Sequence, residues 1–520
     1  PQMIGPADRL TLGVTSAAVL HSWAVIALTP AWTLQTHAVI AAASGIAALV
    51  SHRGIRRLRR HRHRRRWVAA LPETLLTLGS LLRAHRVPEH AVRTIAETAP
   101  QSLIHTFARV ERAPECRGEP VMRALQQALD GLVWTRSVCV ELAAGVDRDD
   151  AAAFDRVERR ILTAQRERLR AAADRLQTQL TALFLLGVFA PLVAVGLLPA
   201  AGAGGLAIDP PVVAVVYHLW VPLALGAGVT LLALGPIADL QPVAALEIPT
   251  RGLAGALLGG GATALAVTLV GGRVVPWAAI HLGAASGVAV LGHVLTGPHI
   301  AACSTRAAIR GAIPDLMASL GAQLTDGRAP ECAIAAARDE TPLGQVCTRV
   351  DTHLRAGASL PAALEEGLSV TPAVPRLQRW AVHYRVAATL GTAGGPLCAS
   401  VGHAWHAADT VRSEARHQLR GLARMCTHTG AIIGPIIAGT TVAMLGALTE
   451  TTLTGRPLAP QAAGPPVAST VFAIGLLLPS VGVLLDHGPV GPLIARQAAH
   501  AVLLAMLVFT LTVHLVGQLI

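Results

Sequence analysis

Apolar residues recur at Leu71, Leu75, Leu78 and Leu82, and again at Ile313, Met317, Leu320 and Leu324. This i, i+4, i+7, i+11 spacing marks one face of an α-helix. The two stretches are one pattern written twice. Leu71–Pro100 and Ile313–Pro342 align at a constant offset of 242 over thirty residues without a gap, with nine identities. Pro72/Pro314, Gly79/Gly321, Arg86/Arg328, Pro88/Pro330 and Glu89/Glu331 are among them. Two unrelated Ala/Leu-rich helices do not keep prolines and a Pro-Glu pair in register, so the chain carries an internal duplication.

Each copy predicts a helical hairpin. Pro72 and Pro314 are expected in the first turn, where proline is tolerated, with Glu73 or Asp315 beside the positive helix end. A second helix is expected to start at Pro88-Glu89 and at Pro330-Glu331. Gly327 reads as a left-handed C-cap between the helices, and His85 stands in its place in the first copy. Further on, Gly118-Glu-Pro-Val-Met-Arg-Ala-Leu125 lines up with Gly357-Ala-Ser-Leu-Pro-Ala-Ala-Leu364. A third glycine turn is expected at Gly394-Gly395, with a faint echo at Gly145. Each copy thus predicts an antiparallel bundle of about five or six helices, the last running into a membrane span.

The intervening sequence is apolar. Runs long enough to cross a bilayer occur near residues 11–29, 32–50, 180–198, 211–235, 252–272, 275–295, 427–447, 469–485 and 499–519, about nine spans. A Pro/Thr-rich loop is expected at 450–467. The domain reading is therefore two N-terminal spans (1–50), a first bundle (51–178), four spans (179–296), a second bundle (297–426) and three C-terminal spans (427–520). The fold class is all-α: a polytopic helical membrane protein with two duplicated cytosolic bundles.

Composition agrees. Of 520 residues 52% are apolar, and the mean hydropathy is +0.51, too greasy for a soluble chain of this size. The two bundle segments hold 38 of the 43 basic and 25 of the 31 acidic residues. Nine arginines crowd His52–Arg66 directly after a span, which puts that side in the cytoplasm. An even number of spans then returns the second bundle to the same side, leaving the N-terminus inside and the C-terminus outside.

Every one of the basic residues is arginine. Without lysine there is no Walker-A phosphate cradle, no Schiff base and no Ser-x-x-Lys nucleophile. Nucleophile elbow, HExxH and paired catalytic carboxylates are likewise missing from the sequence. The seven cysteines form no C-x-x-C and read as reduced thiols. His61 and His63 sit among arginines that oppose a metal ion, and His403-x-x-His406 lacks completing ligands. The expectation is no enzyme, cofactor, metal or nucleic acid.

Within the spans, His21, His37, His218, His281, His293, His428 and His514 have no acidic partner in the apolar runs. They read as neutral hydrogen-bonding groups between packed helices. Gly255-x-x-x-Gly259 and Gly430-x-x-x-Gly434 read as close-packing faces. Pro191 and Pro435 occupy matching places after the two bundles and predict matching kinks.

The duplicated helix, glycine turn and Pro/Leu-x-x-Ala-Leu helix start resemble the F-domain family of type II secretion and type IV pilus machines. Two such domains with extra spans before, between and after are closest in layout to archaeal archaellum and pilus platform proteins. The resemblance implies a non-catalytic membrane platform, dimeric, working with a cytosolic hexameric assembly ATPase and with pilin-like subunits. The residues expected to face that ATPase are Arg59, Arg60, Arg62 and Arg64 in the basic run, with Arg83, Arg86, Arg93, Arg328 and Arg338 on the hairpins. Pro72, Gly79, Pro88, Gly118, Pro191, Pro314, Gly321, Gly327, Pro330, Gly357 and Pro435 are the structural motif. The competing reading is a secondary transporter, whose repeats, however, usually consist of the spans themselves. A membrane sensor is a third, without a kinase or cyclase signature to support it.

Overall fold

The structure is a computed structural model that describes residues 67–84, 87–203, scattered positions between 216 and 232, and residues 253–272, 278–369, 374–451, 460–487 and 491–519. The described residues are helical, with no strand among them. The spans expected at 11–29 and 32–50, and most of the one at 211–235, lie outside them.

Helix α1 covers residues 67–84, and every residue from 71 to 78 is buried. The four leucines of the apolar face are buried as expected, but so are Leu76, Leu81, Glu73, Thr74, Thr77 and Ser80. A helix buried on all sides belongs to a core rather than to a surface. Its hydroxyls enter that core by donating to their own backbone: Thr74 to Ala70 O (3.0 Å), Thr77 to Glu73 O (2.8 Å), Ser80 to Leu76 O (3.2 Å).

The expected start at Pro72 is corrected, because the chain is already helical at Trp67 and α1 runs through the proline. A proline inside a helix leaves the carbonyl of residue i−4 without its donor. Here that carbonyl belongs to Val68, and Arg168 Nη1 donates to it at 2.8 Å. The side chain replaces the missing bond.

The first copy continues through α2 (Pro88–Thr98), α3 (Gln101–Glu111), the short α4 (Ala113–Arg117), α5 (Val121–Leu129), α6 (Val133–Arg148) and the long α7 (Ala151–Phe184). A π-helical turn, Leu185–Phe189, carries α7 into the apolar α8 (Ala190–Ala203). After α9 (Leu253–Gly271), helix α10 runs for 47 residues, Ala279–Thr325, from an apolar stretch into the second hairpin. Pro314 therefore also lies mid-helix, a second correction to the expected first turn; one missing hydrogen bond does not stop so long a helix.

The second copy goes on with α11 (Pro330–Ala336), α12 (Pro342–Arg355), α13 (Leu360–Ser369), α14 (Pro375–Thr389) and, after a 3₁₀ turn, α15 (Gly394–His428). A second π turn, Thr429–Ile433, leads into α16 (Gly434–Thr451), followed by α17 (Pro460–His487) and α18 (Gly491–Leu519).

Helices α2 and α11 start at Pro88 and Pro330, as the Pro-Glu signal predicts. Gly327 is left-handed at φ +79°, while its counterpart His85, with Arg86, lies outside the described residues. Gly118 and Gly357 are left-handed at φ +64° and +89°, each three residues before its helix, α5 or α13. The third turn is corrected. Its left-handed residue is Gly391, and the first-copy counterpart is Asp149, the one non-glycine with positive φ among the described residues. Gly395 instead lets α15 approach α10, since a Cβ there would lie 2.6 Å from Gly321 O. Gly145 is helical against Ala153 and Phe154. Gly321 matches Gly395 with 2.7 Å to its carbonyl, whereas Gly79 faces only Leu142 at 3.8 Å.

By internal contacts the chain divides into two compact units. One comprises residues 63–171 and 301–415, and the other 1–62, 172–300 and 416–520. In the first, both repeats share one hydrophobic core, from Leu71, Leu78, Phe107 and Val157 to Met317, Val350, Trp380 and Trp405. In the second, helices meet through small residues. A Cβ on Gly260 would lie 3.0 Å from Gly287 O, one on Gly430 2.8 Å from Pro479 Cδ, and one on Gly475 2.7 Å from Ala505 Cβ. Gly259 meets nothing within 4 Å, so the close face on α9 passes through Gly260, one position from where the spacing put it. His281 shares a 2.8 Å hydrogen bond with Ser469 between α10 and α17. The loop expected at 450–467 is corrected as well, because α17 already begins at Pro460 and holds Pro465 and Pro466 inside it.

Among the described residues, five helical segments are long and apolar enough to cross a membrane: Ala151–Ala194, Ala279–Gly297, Gly391–Ala447, Gly464–Asp486 and Pro492–Leu519. The protein is compatible with life in a bilayer.

Candidate functional site

The charged residues with the most unusual surroundings lie in the unit that holds both repeats. Glu73 enters from α1, Arg376 and Arg379 from α14, and Asp409 and Arg412 from α15. Arg376 is 2% exposed. Its Nη2 donates to Asp409 Oδ1 at 3.2 Å and its Nη1 bonds the other carboxylate oxygen, forming a two-pronged pair. Arg412 bridges the two acids, with Nη2 2.8 Å from Glu73 Oε2 and Nη1 3.1 Å from Asp409 Oδ1. Arg379 reaches Glu73 Oε1 at 3.0 Å and Arg376 reaches it at 3.3 Å. Both are ion-pair contacts, yet neither N–H is aligned, so Oε1 accepts no hydrogen bond.

The indole of Trp405 forms one wall. The guanidinium groups of Arg376 and Arg379 lie 5.3 and 5.9 Å from its ring centre, and His383 meets it edge-on at 5.8 Å. Trp405 Nε1 donates to Thr77 Oγ1 at 3.2 Å, and Ser400 to Ser80 at 3.0 Å. The first repeat is thereby tied to the second by polar contacts inside the shared core. Buried arginine is suited to this, being permanently charged and weakly hydrated, with a flat face to stack.

The protonation states follow from the surroundings. Burial pushes the Glu73 carboxyl up, but Arg379, Arg412 and Arg376 outweigh it and hold the group well below the usual carboxylate range. Burial, with Arg379 nearby, pushes His383 down to about 3, so the imidazole is neutral. On α10, Arg310 is pushed down to about 10 by burial and by the neighbouring charges of Arg376 and Arg412, and it stays cationic at neutral pH. Burial raises the thiols of Cys139 and Cys347 to about 12. Such thiols are poor nucleophiles. The seven cysteines are unpaired, and among the described residues no His/Cys/Asp/Glu group has a metal-binding arrangement. The cluster can lock helices and offer positive charge; it offers no nucleophile.

The arginines singled out from the sequence are distributed differently. Arg83 pairs with Asp155 on α7 and lies 6.0 Å from the Phe154 ring centre. Arg93 pairs with Glu111 at 3.2 Å. Arg338 donates to Asp351 at 2.9 Å and to Ala335 O at 2.7 Å. Arg328 is exposed and reaches Gln323 at 3.4 Å. Each is engaged with a different local partner. Arg59, Arg60, Arg62, Arg64 and Arg86 lie outside the described residues.

Sequence reasoning missed Arg376, Arg379, Asp409, Arg412 and the real environment of Glu73. A signal existed. Arg376 shares a helical face with Trp380, and Asp409 and Arg412 lie among Trp405, Ala408, Val411 and Ala415, all buried. Charges in phase with an apolar stripe are buried charges in need of partners. The expected role of Glu73 at a helix start is corrected too: α1 continues past it, and three arginines are its partners. Its counterpart Asp315 is exposed. Compared with protein-family models, curated proteins and solved structures, the chain matches none.

Proposed function

We propose that this protein is a non-catalytic membrane platform of a pilus-like or secretion assembly machine, with about nine spans and both repeats in the cytoplasm. In this reading a cytosolic hexameric ATPase works on the repeat unit, and the long helices carry its motion to pilin-like subunits in the membrane.

The observation that supports the reading is how the long helices of the repeats continue. Each of α7 and α15 passes through a five-residue π turn, and each turn is followed at the same spacing by a proline, Pro191 or Pro435. A continuous helix is a stiff element, and one with a defined irregularity at a fixed place can transmit displacement and bend there. The buried charge cluster adds stiffness by fixing α1 to α14 and α15. None of these features requires a substrate cavity.

Deleting the gene in its host tests the proposal. A platform leaves pilin-like subunits unassembled in the membrane, removes surface filaments, and lowers the membrane-bound fraction of the assembly ATPase. Filaments and ATPase distribution unchanged, with loss of uptake or efflux of a solute, would establish the transporter reading instead.

A further inference from the structure

The buried cluster is out of electrical balance. Arg310, Arg376, Arg379 and Arg412 act on the same two carboxylates, Glu73 and Asp409, leaving two positive charges without a counterion. Arginine cannot relieve this by losing its proton. Among the described residues Arg310 makes no ion pair within 4.0 Å. One helical turn before it on α10, Arg306 has a buried Nε with no hydrogen-bond partner, and so has Arg376. Residues four apart on a helix share a face, so Arg306 extends the positive edge that Arg310 begins. Glu73 Oε1 is unsatisfied too, so the imbalance lies in the charge rather than in the number of donors and acceptors.

We propose that this cluster is an oxyanion site, completed by a phosphate-bearing ligand that Arg310 holds, with Arg306 and Arg412 as flanking donors. The chemistry selects phosphate over carboxylate. A phosphate group carries roughly −1.5 to −2 charge at neutral pH, which matches the excess, whereas a carboxylate leaves one positive charge uncompensated. Its several acceptor oxygens also suit forked guanidinium donors. The partly exposed Arg310 gives the ligand access, while Arg376, Glu73 and Asp409 fix the floor. Occupation would join α10 to α14 and α15, the same helices that hold α1. The inference does not depend on the assembly role.

The test uses the full chain in an uncharged detergent, in chloride buffer at pH 7.5. Inorganic phosphate and pyrophosphate are titrated against sodium chloride at matched ionic strength, reading the thermal midpoint and equilibrium dialysis of labelled phosphate. The proposal expects a saturable rise of several degrees and about one phosphate per chain. Arg310→Gln should abolish both, and Arg328→Gln, remote and exposed, should change neither. Arg310→Lys keeps the charge but not the fork and should weaken binding at least about tenfold; Arg306→Gln should weaken it also, which keeps the test open if Arg310→Gln does not fold. In a second arm the phosphate-free protein is placed in bilayers of phosphatidylglycerol or phosphatidylcholine. Stabilisation by the anionic lipid that needs Arg310 and is competed by pyrophosphate would identify a lipid headgroup as the source, and stabilisation by soluble phosphate alone a free ligand. Equal effects of phosphate and chloride with no lipid effect, or shifts that survive both Arg310 variants, would overturn the proposal.

Discussion

Asp149 and Gly391 hold the same left-handed backbone position, at φ 54° and 59°. Their numbers differ by 242, the offset at which Leu71–Pro100 repeats as Ile313–Pro342. Each residue closes the turn before the long helix of its copy, α7 or α15. The two π turns begin at 185 and 429, and their prolines stand at 191 and 435, an offset of 244 in both cases. The left-handed turn thus recurs at the offset of the hairpin, and the π turn and its proline recur at an offset two residues larger.

Glycine adopts the left-handed region freely, and a side chain there is strained by about 1 kcal/mol or more, least for Asp and Asn. Asp149→Gly should therefore be neutral or stabilising by about 0.5 kcal/mol, and Asp149→Val destabilising by about 1–2 kcal/mol. Thermal unfolding of the two variants side by side measures this. Equal loss in both would show that contacts of the Asp149 side chain, rather than backbone strain, set the preference.

Glu73 and Asp315 are counterparts with opposite surroundings, one enclosed by arginines and one in solvent. Removing one partner of a buried ion network leaves charge uncompensated, at a cost of about 3–5 kcal/mol. Glu73→Gln should lose an amount of that order, and Asp315→Asn should stay within about 0.5 kcal/mol. The depressed Glu73 acidity adds a pH signature. The folded group ionises more readily than a glutamate at its ordinary value of 4.5, so its contribution is present above that pH and lost as pH falls below it. Stability measured from pH 6 downward should fall less steeply below pH 4.5 in Glu73→Gln than in the parent.

Much of the fold was legible in the sequence where local chemistry decides it. Pro88 and Pro330 start helices, Gly118, Gly327 and Gly357 end them, and the leucine spacing marks what is buried. Pro72 and Pro314 were not legible as helix interiors, because the same residue type starts helices elsewhere in this chain. What overrides that preference at Pro72 is tertiary: Arg168, far along the chain, bonds the orphaned Val68 carbonyl. The charge cluster was legible only in half. The apolar phase of Arg376 and Arg412 predicts burial, but their partner Glu73 comes from the other repeat, and a pairing that distant along the chain leaves no local periodicity.

His383 supplies a second pH signature. It is neutral in the fold, pushed down to about 3 from 6.5, while the unfolded chain binds a proton near the ordinary value. Its neutral burial therefore stabilises the fold above pH 6.5 and loses that advantage progressively between pH 6.5 and 3, at up to about 1.4 kcal/mol per pH unit. His383→Leu should remove one proton from the pH dependence across that window, whatever it does to stability at pH 8. An unchanged slope between pH 6 and 4 would mean that the imidazole is already solvated and protonated in the folded protein.

Gly402 and Gly421 lie on the same helix, α15, and should respond oppositely to alanine. A Cβ on Gly402 would come within 2.8 Å of Pro314 O and 3.1 Å of Ala318 N, both backbone atoms of α10. Backbone has no rotamer with which to yield, so the two helices must separate, at a cost of about 1–3 kcal/mol. Nothing lies within 4 Å of the equivalent point on Gly421. There alanine restores only the helix propensity that glycine lacks, about 0.5–1 kcal/mol in favour of the variant. Thermal midpoints of Gly402→Ala and Gly421→Ala should therefore move in opposite directions from the parent. Two stabilising shifts would mean that α15 stands further from α10 than the close approach of Gly402 to the Pro314 carbonyl allows.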